Sequence, residues 1–523
     1  MSGVSGQVGA ASASGSRDEP APPAEKITRA PGADSERCAG TPADLALDLE
    51  EPQQTPAEKP EEKPPAKKPA ASSDQSTAVT KSPPQERQTD SSRLSEEPIP
   101  LAKLPDRPRA PIDLGGDPFL GTGNVPRGFI APGGAVVTPK FLTWGNLRTA
   151  VQGTELGNDT RRQAWANRLD LFSQLNFTAT ERIIASFRPF DRDGQFAGYD
   201  FAPQHQPVDN RFNAFVRTLY FEGDFGEIFP NLDPRDTKAL DYGFAVGRFP
   251  VFFQEGMLLN DPMNAVGVVR NSLRPSASGA NLRLSTVFSW GQVNRGGNQV
   301  KDTSAKLAGL FCEFDVPTST VDIDAVYVNA DKTTGSGVFG GISSVQRIFG
   351  GLNTTFRVLG SYALDQQTPS VGTGVLLYSA ISFDPRGTED IAYINAFGGF
   401  KSYTPAARDQ GLGGPLTNVG ILFESVGLGS GYGNVLPNQA KYSYGGVIGY
   451  QKFLGHSRRT QVILELGVRK GTKAPDNKVE GGVALRFQQA IGSHLIARLE
   501  GFAHPRESQS TQYGARYEFQ LKF

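Results

Sequence analysis

From about residue 137 to the C-terminus, apolar and polar positions alternate in short runs. The clearest is the last, Tyr513-Gly-Ala-Arg-Tyr-Glu-Phe-Gln-Leu-Lys-Phe523, in which odd positions are apolar and nearly every even position is polar or charged. Successive side chains of a strand point to opposite faces, so this pattern predicts a strand with one apolar and one wet side. Its length suits a tilted crossing of a bilayer, whereas strands of soluble sheets usually stop at about five or six residues. The same pattern recurs upstream. Leu169, Leu171, Leu175 and Phe177 oppose Arg168, Asp170, Gln174 and Asn176, and Leu282, Leu284, Thr286, Phe288 and Trp290 oppose Arg283, Ser285 and Ser289. Val321, Ile323, Ala325 and Tyr327 oppose Asp322 and Asp324. Val462, Leu464, Leu466 and Val468 oppose Glu465 and Arg469, and Val479, Val483, Leu485 and Phe487 oppose Glu480 and Arg486. A soluble core seldom places full charges on the polar face of so many strands, because a buried unpaired charge is costly. A water-filled lumen removes that cost.

Turn chemistry predicts hairpins at Thr178–Arg182, Val316–Thr320, Asp384–Asp390, Leu454–Arg459 and Ala490–His494. Longer Gly-, Pro- and Asn-rich stretches, 191–210, 331–350, 402–416 and 427–441, separate these pairs. Short turns on one side and long loops on the other is the asymmetry of outer-membrane barrels. The predicted fold class is all-β: a transmembrane, antiparallel, up-and-down β-barrel over 137–523. At roughly 20 to 24 residues per strand and connection it has about 16 to 18 strands. A barrel of that size leaves an aqueous channel.

The final strand, with Tyr517, Phe519, Leu521 and Phe523 on one face, resembles the signal that bacterial outer-membrane proteins present to the barrel-assembly machinery. A second stretch, Gly243-Phe-Ala-Val-Gly-Arg-Phe-Pro-Val-Phe-Phe-Gln-Glu-Gly-Met-Leu-Leu-Asn-Asp-Pro262, is similar to segments of porins and of the alginate-export family, in which a Gly-Arg strand is followed by a segment that reaches the lumen. Phe249, Phe252 and Phe253 replace the polar residues usual there, which favours a porin-like channel over an alginate exporter. The resemblance implies a bacterial outer-membrane β-barrel porin, embedded in outer-membrane lipid and passing small hydrophilic solutes. A homotrimer is common among such barrels, although no interface signature stands in the sequence.

Composition agrees. Lys+Arg 53 against Asp+Glu 54 argues against a nucleic-acid partner. Sixty Gly, 33 Phe and 14 Tyr beside three Met favour strands and turns over helices. Mean hydropathy is negative and no stretch approaches the 18 or more apolar residues of a membrane helix, as a barrel requires, since lumen-facing residues dilute lipid-facing ones. Cys38 and Cys312 lie in unlike contexts, so no disulfide is predicted. The start, MSGVSGQVGAASASGSRDEP, lacks the charged and apolar regions of a secretory signal. The exported protein is therefore expected to be a processed form carrying a start Met.

Residues 1–110 are rich in Pro, Ala, Ser, Glu and Lys, with the run Glu58-Lys-Pro-Glu-Glu-Lys-Pro-Pro-Ala-Lys-Lys-Pro69. Such a segment buries too little apolar surface to order itself, and is predicted to be disordered in the periplasm. Sixty such residues would reach on the order of 150 Å, which makes the tail a tether toward the cell wall or a dispensable appendage. Residues 111–136, with Phe119, Leu120, Phe129 and Ile130, are expected to form a linker inside or against the barrel mouth.

Candidate pore-lining residues follow from the inward faces. Arg248, Glu255, Asp261 and Arg270 would form a constriction, where fixed charge sets selectivity, or would be ordinary charges on a solvated face. Arg168, Arg217, Arg283, Arg357, Arg469, Arg486, Arg498 and Arg516 are predicted to face the lumen. Asp170, Asp322, Asp324, Glu465, Glu480, Glu500 and Glu518 balance them. An arginine ladder would favour anions or sugars, whereas cross-strand ion pairs would stiffen the wall. The second reading is expected for most of them. The four histidines, His205, His456, His494 and His504, are scattered, and Gly429-Ser-Gly-Tyr-Gly433 lacks the strand-to-helix setting of a phosphate loop. No enzyme, cofactor or metal is predicted. The sequence therefore predicts a passive outer-membrane channel with its tail in the periplasm. The alternative is a structural protein whose barrel anchors the envelope or a partner through the Pro-rich tail.

Overall fold

The computed structural model describes residues 110–115, 128–155, 161–192, 194–201, 208–235, 237–274, 280–349, 351–425, 434–455, 457–507 and 509–523. The tail before residue 110, Cys38, Phe119, Leu120, His205, His456 and Gly429–Gly433 lie outside the described residues.

Eighteen strands form the wall. They are β1 (Lys140–Glu155), β2 (Arg161–Asn176), β3 (Arg182–Phe187), β4 (Val216–Asp224), β5 (Gly243–Phe253), β6 (Leu259–Leu273), β7 (Asn281–Gly291), β8 (Lys306–Val316) and β9 (Ser319–Asn329). The chain continues through β10 (Gly337–Ile348), β11 (Leu352–Ala363), β12 (Gly374–Phe383), β13 (Ile391–Ser402), β14 (Lys441–Leu454), β15 (Thr460–Gly471), β16 (Val479–Ile491), β17 (Leu495–Arg506) and β18 (Gln509–Lys522). Each pairs antiparallel with its neighbours in sequence order. β18 then pairs with β1, from Tyr513 opposite Glu155 to Lys522 opposite Asn146, and this closes the barrel. Closure joins the first and last strands, so the sheet has no free terminal strand, which is the condition for sheet structure in hydrocarbon.

Alternation decides the two faces. On β15, Leu464, Leu466 and Val468 point outward and are exposed, while Glu465 and Arg469 are buried inside. On β18, Tyr517 and Leu521 face out and Arg516, Glu518 and Gln520 face in. The five turns expected from sequence all connect consecutive strands at one end of the barrel, the end at which β1 begins and β18 finishes. There the outer surface carries an aromatic cluster, with Phe221 against Phe177 and Phe244, and Phe225 against Phe244.

The loop asymmetry is less regular than expected. The stretch 331–350 holds strand β10, because Gly337-Val-Phe-Gly-Gly-Ile alternates outward Val338 and Ile342 with inward Phe339 despite its glycines. Conversely, 402–416 and 427–441 belong to one long connection between β13 and β14. The described start of the linker is at the rim: Ile112–Leu114 pairs with Phe141–Thr143, taking up the wall position where β18 ends. Phe129–Ile130 pairs with Val136–Val137, and Asn231 donates its N–H to the Gly133 carbonyl of the enclosed turn.

The C-terminal residue closes the seam. Phe523 and Gly145 exchange backbone hydrogen bonds (2.8 and 3.0 Å), and the Phe523 ring lies where a Cβ on residue 145 would come within 3.0 Å. Phe523→Ala should therefore lower the fraction of folded barrel in a refolding assay read by heat-modifiable gel mobility. Gly145→Val should do the same, since its side chain would also meet the Asp170 carbonyl at 2.5 Å.

Candidate functional site

The lumen is shaped by two infolds. The first is the end of the β5–β6 hairpin, and the sequence marks where it leaves the wall. Pro250 faces Pro262 across the β5–β6 ladder. Neither has an N–H, so the pair is one whose backbone polar groups point away from each other, toward β4 and β7. Both outer ladders lose a donor at that rung and both stop before it: β4–β5 ends at Leu219 opposite Arg248, and β6–β7 at Asn264 opposite Gly291. Released from the wall, the hairpin lies across the inner surface of the following strands. Phe253 stacks on Phe311 of β8. Gln254 Nε2 donates to Asp324 of β9 (2.7 Å), and Glu255 pairs with Arg357 of β11 (2.9 Å). The tip carries three successive left-handed residues, Gln254 (φ 53°), Glu255 (φ 49°) and Gly256 (φ 73°). Left-handed backbone at non-glycine residues is uncommon and persists when surrounding contacts impose it. Here the two side-chain bonds to the opposite wall do so.

The second infold is the β13–β14 connection. Arg408, buried, donates to the carbonyls of Gly256 (2.6 Å), Gly413 (2.6 Å) and Leu412 (3.1 Å) and to the Thr417 hydroxyl (2.8 Å), which ties the two infolds together. Burial pushes its guanidinium down to about 10. Tyr403 donates to the Met257 carbonyl (2.9 Å), and Gln299, from the β7–β8 connection, donates to the carbonyls of Asp409 and Gly413. Leu416, Val419, Leu422 and Phe423 are fully buried against Leu359, Leu376, Tyr378, Phe397 and Val447 of the inner wall. Glu465 accepts the N–H groups of Ile421 (3.0 Å) and Leu422 (2.7 Å). This side of the lumen is filled and partly apolar.

The opposite side, from β16 through β18 to β2, is a layer of charges. Glu518 accepts two bonds from Arg148 (2.9 and 2.8 Å) and lies near Arg498 and Arg516 (3.5 Å each). Glu500 takes Arg486 (2.5 Å) and Arg516 (2.6 Å), and Asp170 takes Arg168 (2.7 Å) and Arg188 (2.6 Å). Arg188 also reaches Asp191 (3.0 Å), and Arg486 pairs with Glu424 of the second infold. Arg148, Arg168, Arg188, Arg486, Arg498 and Arg516 thus face Asp170, Asp191, Glu424, Glu500 and Glu518, an excess of one positive charge.

The residues singled out from sequence fall in different places. Arg357 and Glu255 meet at the hairpin tip, Arg217 pairs with Asp409, and Arg248 donates to the Arg217 carbonyl (2.7 Å). Asp261 is fully buried and accepts both the N–H and side-chain amide of Asn294 (2.7 and 2.6 Å), so it presents no carboxylate to a solute. Arg469 is held by Asp476 (2.9 Å) and Glu480 (3.6 Å), and Arg283 by Glu313 (3.3 Å). Arg270 does not join the constriction. It shares the outward parity of Val266 and Val268, donates to the Asp241 carbonyl (2.5 Å) and stands over the Tyr242 ring at 4.7 Å, near the short-turn end. Sequence reading missed Arg408, Arg148, Arg188 and Asp409, of which only Arg148 shows a strand periodicity that could have revealed it.

The strand ladder closes on itself, its outward positions are predominantly apolar, an aromatic cluster marks one rim, and most of the full charges on the strands lie inside. The chain is an outer-membrane-type β-barrel. No family model matches it, and no curated protein matches it. Solved outer-membrane proteins are similar. The outer-membrane protein OpdK of Pseudomonas aeruginosa has 12% identity and a TM-score of 0.46, covering 73% of this chain and 98% of that one. OpdL of the same organism has 10% identity and a TM-score of 0.47 at the same coverage. Wzi of Escherichia coli, a carbohydrate-binding β-barrel involved in group 1 capsule assembly, has 12% identity and a TM-score of 0.42, covering 72% of this chain and 84% of that one. The assignment of the barrel rests on the chain's own closed strand ladder.

Proposed function

We propose that the protein is a passive outer-membrane channel for small hydrophilic solutes, which travel along the charged wall from β16 to β2. The observation that carries this reading is the division of the lumen: packed, partly apolar infolds fill the side from β11 to β15, whereas from β16 to β2 the inner face is a layer of paired, buried charges on adjacent strands. With one guanidinium in excess, the path has a weak preference for anions. By the rule that short turns face the periplasm, the chain enters from the periplasm and both infolds belong to the extracellular half. The tail before residue 110 would then lie in the periplasm, where a deletion with an unchanged conductance but a loosened envelope would assign it a tethering role.

Reconstitution into planar bilayers tests the channel. The expected result is stable single-channel steps with a reversal potential shifted slightly toward anions. A folded, detergent-extracted barrel that gives no steps contradicts the reading.

A further inference from the structure

The departure of the β5–β6 hairpin leaves a place in the wall to be accounted for. From Phe244, in the aromatic cluster at the short-turn rim, to Arg248, where β5 leaves β4, the strand climbs only about 10 Å along the membrane normal. The apolar band of such barrels is about 25 Å tall. The wall at β5 therefore stops near mid-bilayer. Above that sill the hairpin lies over the inner face of β7 to β11, and among the described residues no strand occupies the space between Val216 and β7. Strand β2 keeps a neighbour at this height, since Gln195–Asp200 pairs with it, and the next segment, Val208–Asp209, pairs with that strand in turn. The gap is thus confined to the sector of β4 to β6.

What borders it is mixed in character. On the β4 jamb, Phe212 and Phe215 are 56% and 77% exposed, and on the opposite jamb Phe288 and Trp290 of β7 face outward. At the gap sit two guanidiniums, Arg217 at the end of β4 and Arg248, which shares the strand parity of Val246. Arg248 covers the Arg217 carbonyl, which no β5 N–H reaches, and Arg217 crosses to the Asp409 carboxylate of the second infold. Backbone left open to hydrocarbon is costly, and irregular backbone at membrane depth is tolerated only where it meets protein or water. Guanidiniums, one of which already takes a carboxylate, beside exposed aromatic side chains are what a carboxylate with an apolar tail would complement.

We propose that this gap is a lateral port between the lumen and the outer leaflet, admitting amphipathic carboxylates with the head group at Arg217 and Arg248 and the tail passing Phe212 and Phe215. Asp409 holds the place of the incoming carboxylate. The port is independent of whether hydrophilic solutes are conducted, because it depends only on the barrel and the break in its wall.

The test reads fluorescence, not conductance. In a background with Trp144, Trp165 and Trp290 changed to Phe, single reporters are placed by Phe249→Trp, Phe397→Trp and Phe288→Trp. Phe249 faces inward beside the sill, Phe397 faces inward on β13, and Phe288 faces lipid. Folding of each is checked by heat-modifiable mobility. In vesicles of brominated phosphatidylcholine, the reporter at 249 should be quenched to about half the extent of the one at 288, and the reporter at 397 should not be quenched. Stearate spin-labelled on its chain should quench the 249 reporter saturably, with a half-saturation about tenfold higher in Arg217→Gln, while a short spin-labelled carboxylate should not quench it saturably. A 249 reporter as protected from lipid and stearate as the one at 397 overturns the port. Equal quenching by the short carboxylate overturns the requirement for an apolar tail.

Discussion

Replacing residues 404–438 by a short Gly-Ser bridge should raise single-channel conductance by at least about threefold, because the section of a pore at its narrowest point dominates its resistance. The second infold is not a loose loop. Leu416, Val419, Leu422 and Phe423 are sealed against the inner wall, and Arg408 makes four hydrogen bonds, three that brace the second infold itself and one that binds it to the Gly256 carbonyl of the first. Its removal exposes inner-wall groups that water can hydrate, Glu465 and Asn395 among them, so the barrel should still fold. It also frees the hairpin tip from Arg408 and Asn418, while its bonds to Asp324 and Arg357 remain. The conductance should then be noisier as well as larger. An unchanged conductance in a folded variant would mean that current never passes this infold.

The second large effect concerns the charged layer. Glu518→Ala should destabilise the barrel by about 3–5 kcal/mol, the usual cost of removing one partner from a buried pair. Arg148, Arg498 and Arg516 all lean on this carboxylate, and its removal leaves Arg148, fully buried, without its two-pronged acceptor. The same change adds a net positive charge to the polar wall. Urea unfolding in detergent should show the loss of stability, and the reversal potential should move further toward anions. Glu518→Gln, which keeps an acceptor, should lose less stability and shift selectivity equally. Unchanged selectivity in both variants would place these charges away from the ion path.

The last strand announced the barrel because alternation survives at every position from Tyr513 to Phe523, and the ladder to β1 uses the same register throughout. The inward faces of β2, β7, β9, β15 and β16 were legible for the same reason. The infolds were not, since their residues obey no period: Leu416, Val419, Leu422 and Phe423 are spaced by the packing of an irregular chain. Glycine misled at 331–350, where Gly340 and Gly341 sit inside β10. Arg270 misled because strand β6 changes surroundings along its length, with Asp261 inside the lumen and Arg270 outside near the rim. The most informative local signal went unread. Pro250 and Pro262, set symmetrically about the hairpin tip, mark the rung at which two ladders must end.

Cysteine accessibility to a charged, lumen-borne reagent is the most direct test of the solute path. Gln488→Cys lies on the inward face of β16, within the polar wall, and Phe397→Cys lies on the inward face of β13, behind the second infold. A negatively charged methanethiosulfonate added to reconstituted channels should reduce the current through the first variant in discrete steps and leave the second unaffected. Block through residue 397 with none through residue 488 would contradict the account and move the path to the other side of the lumen.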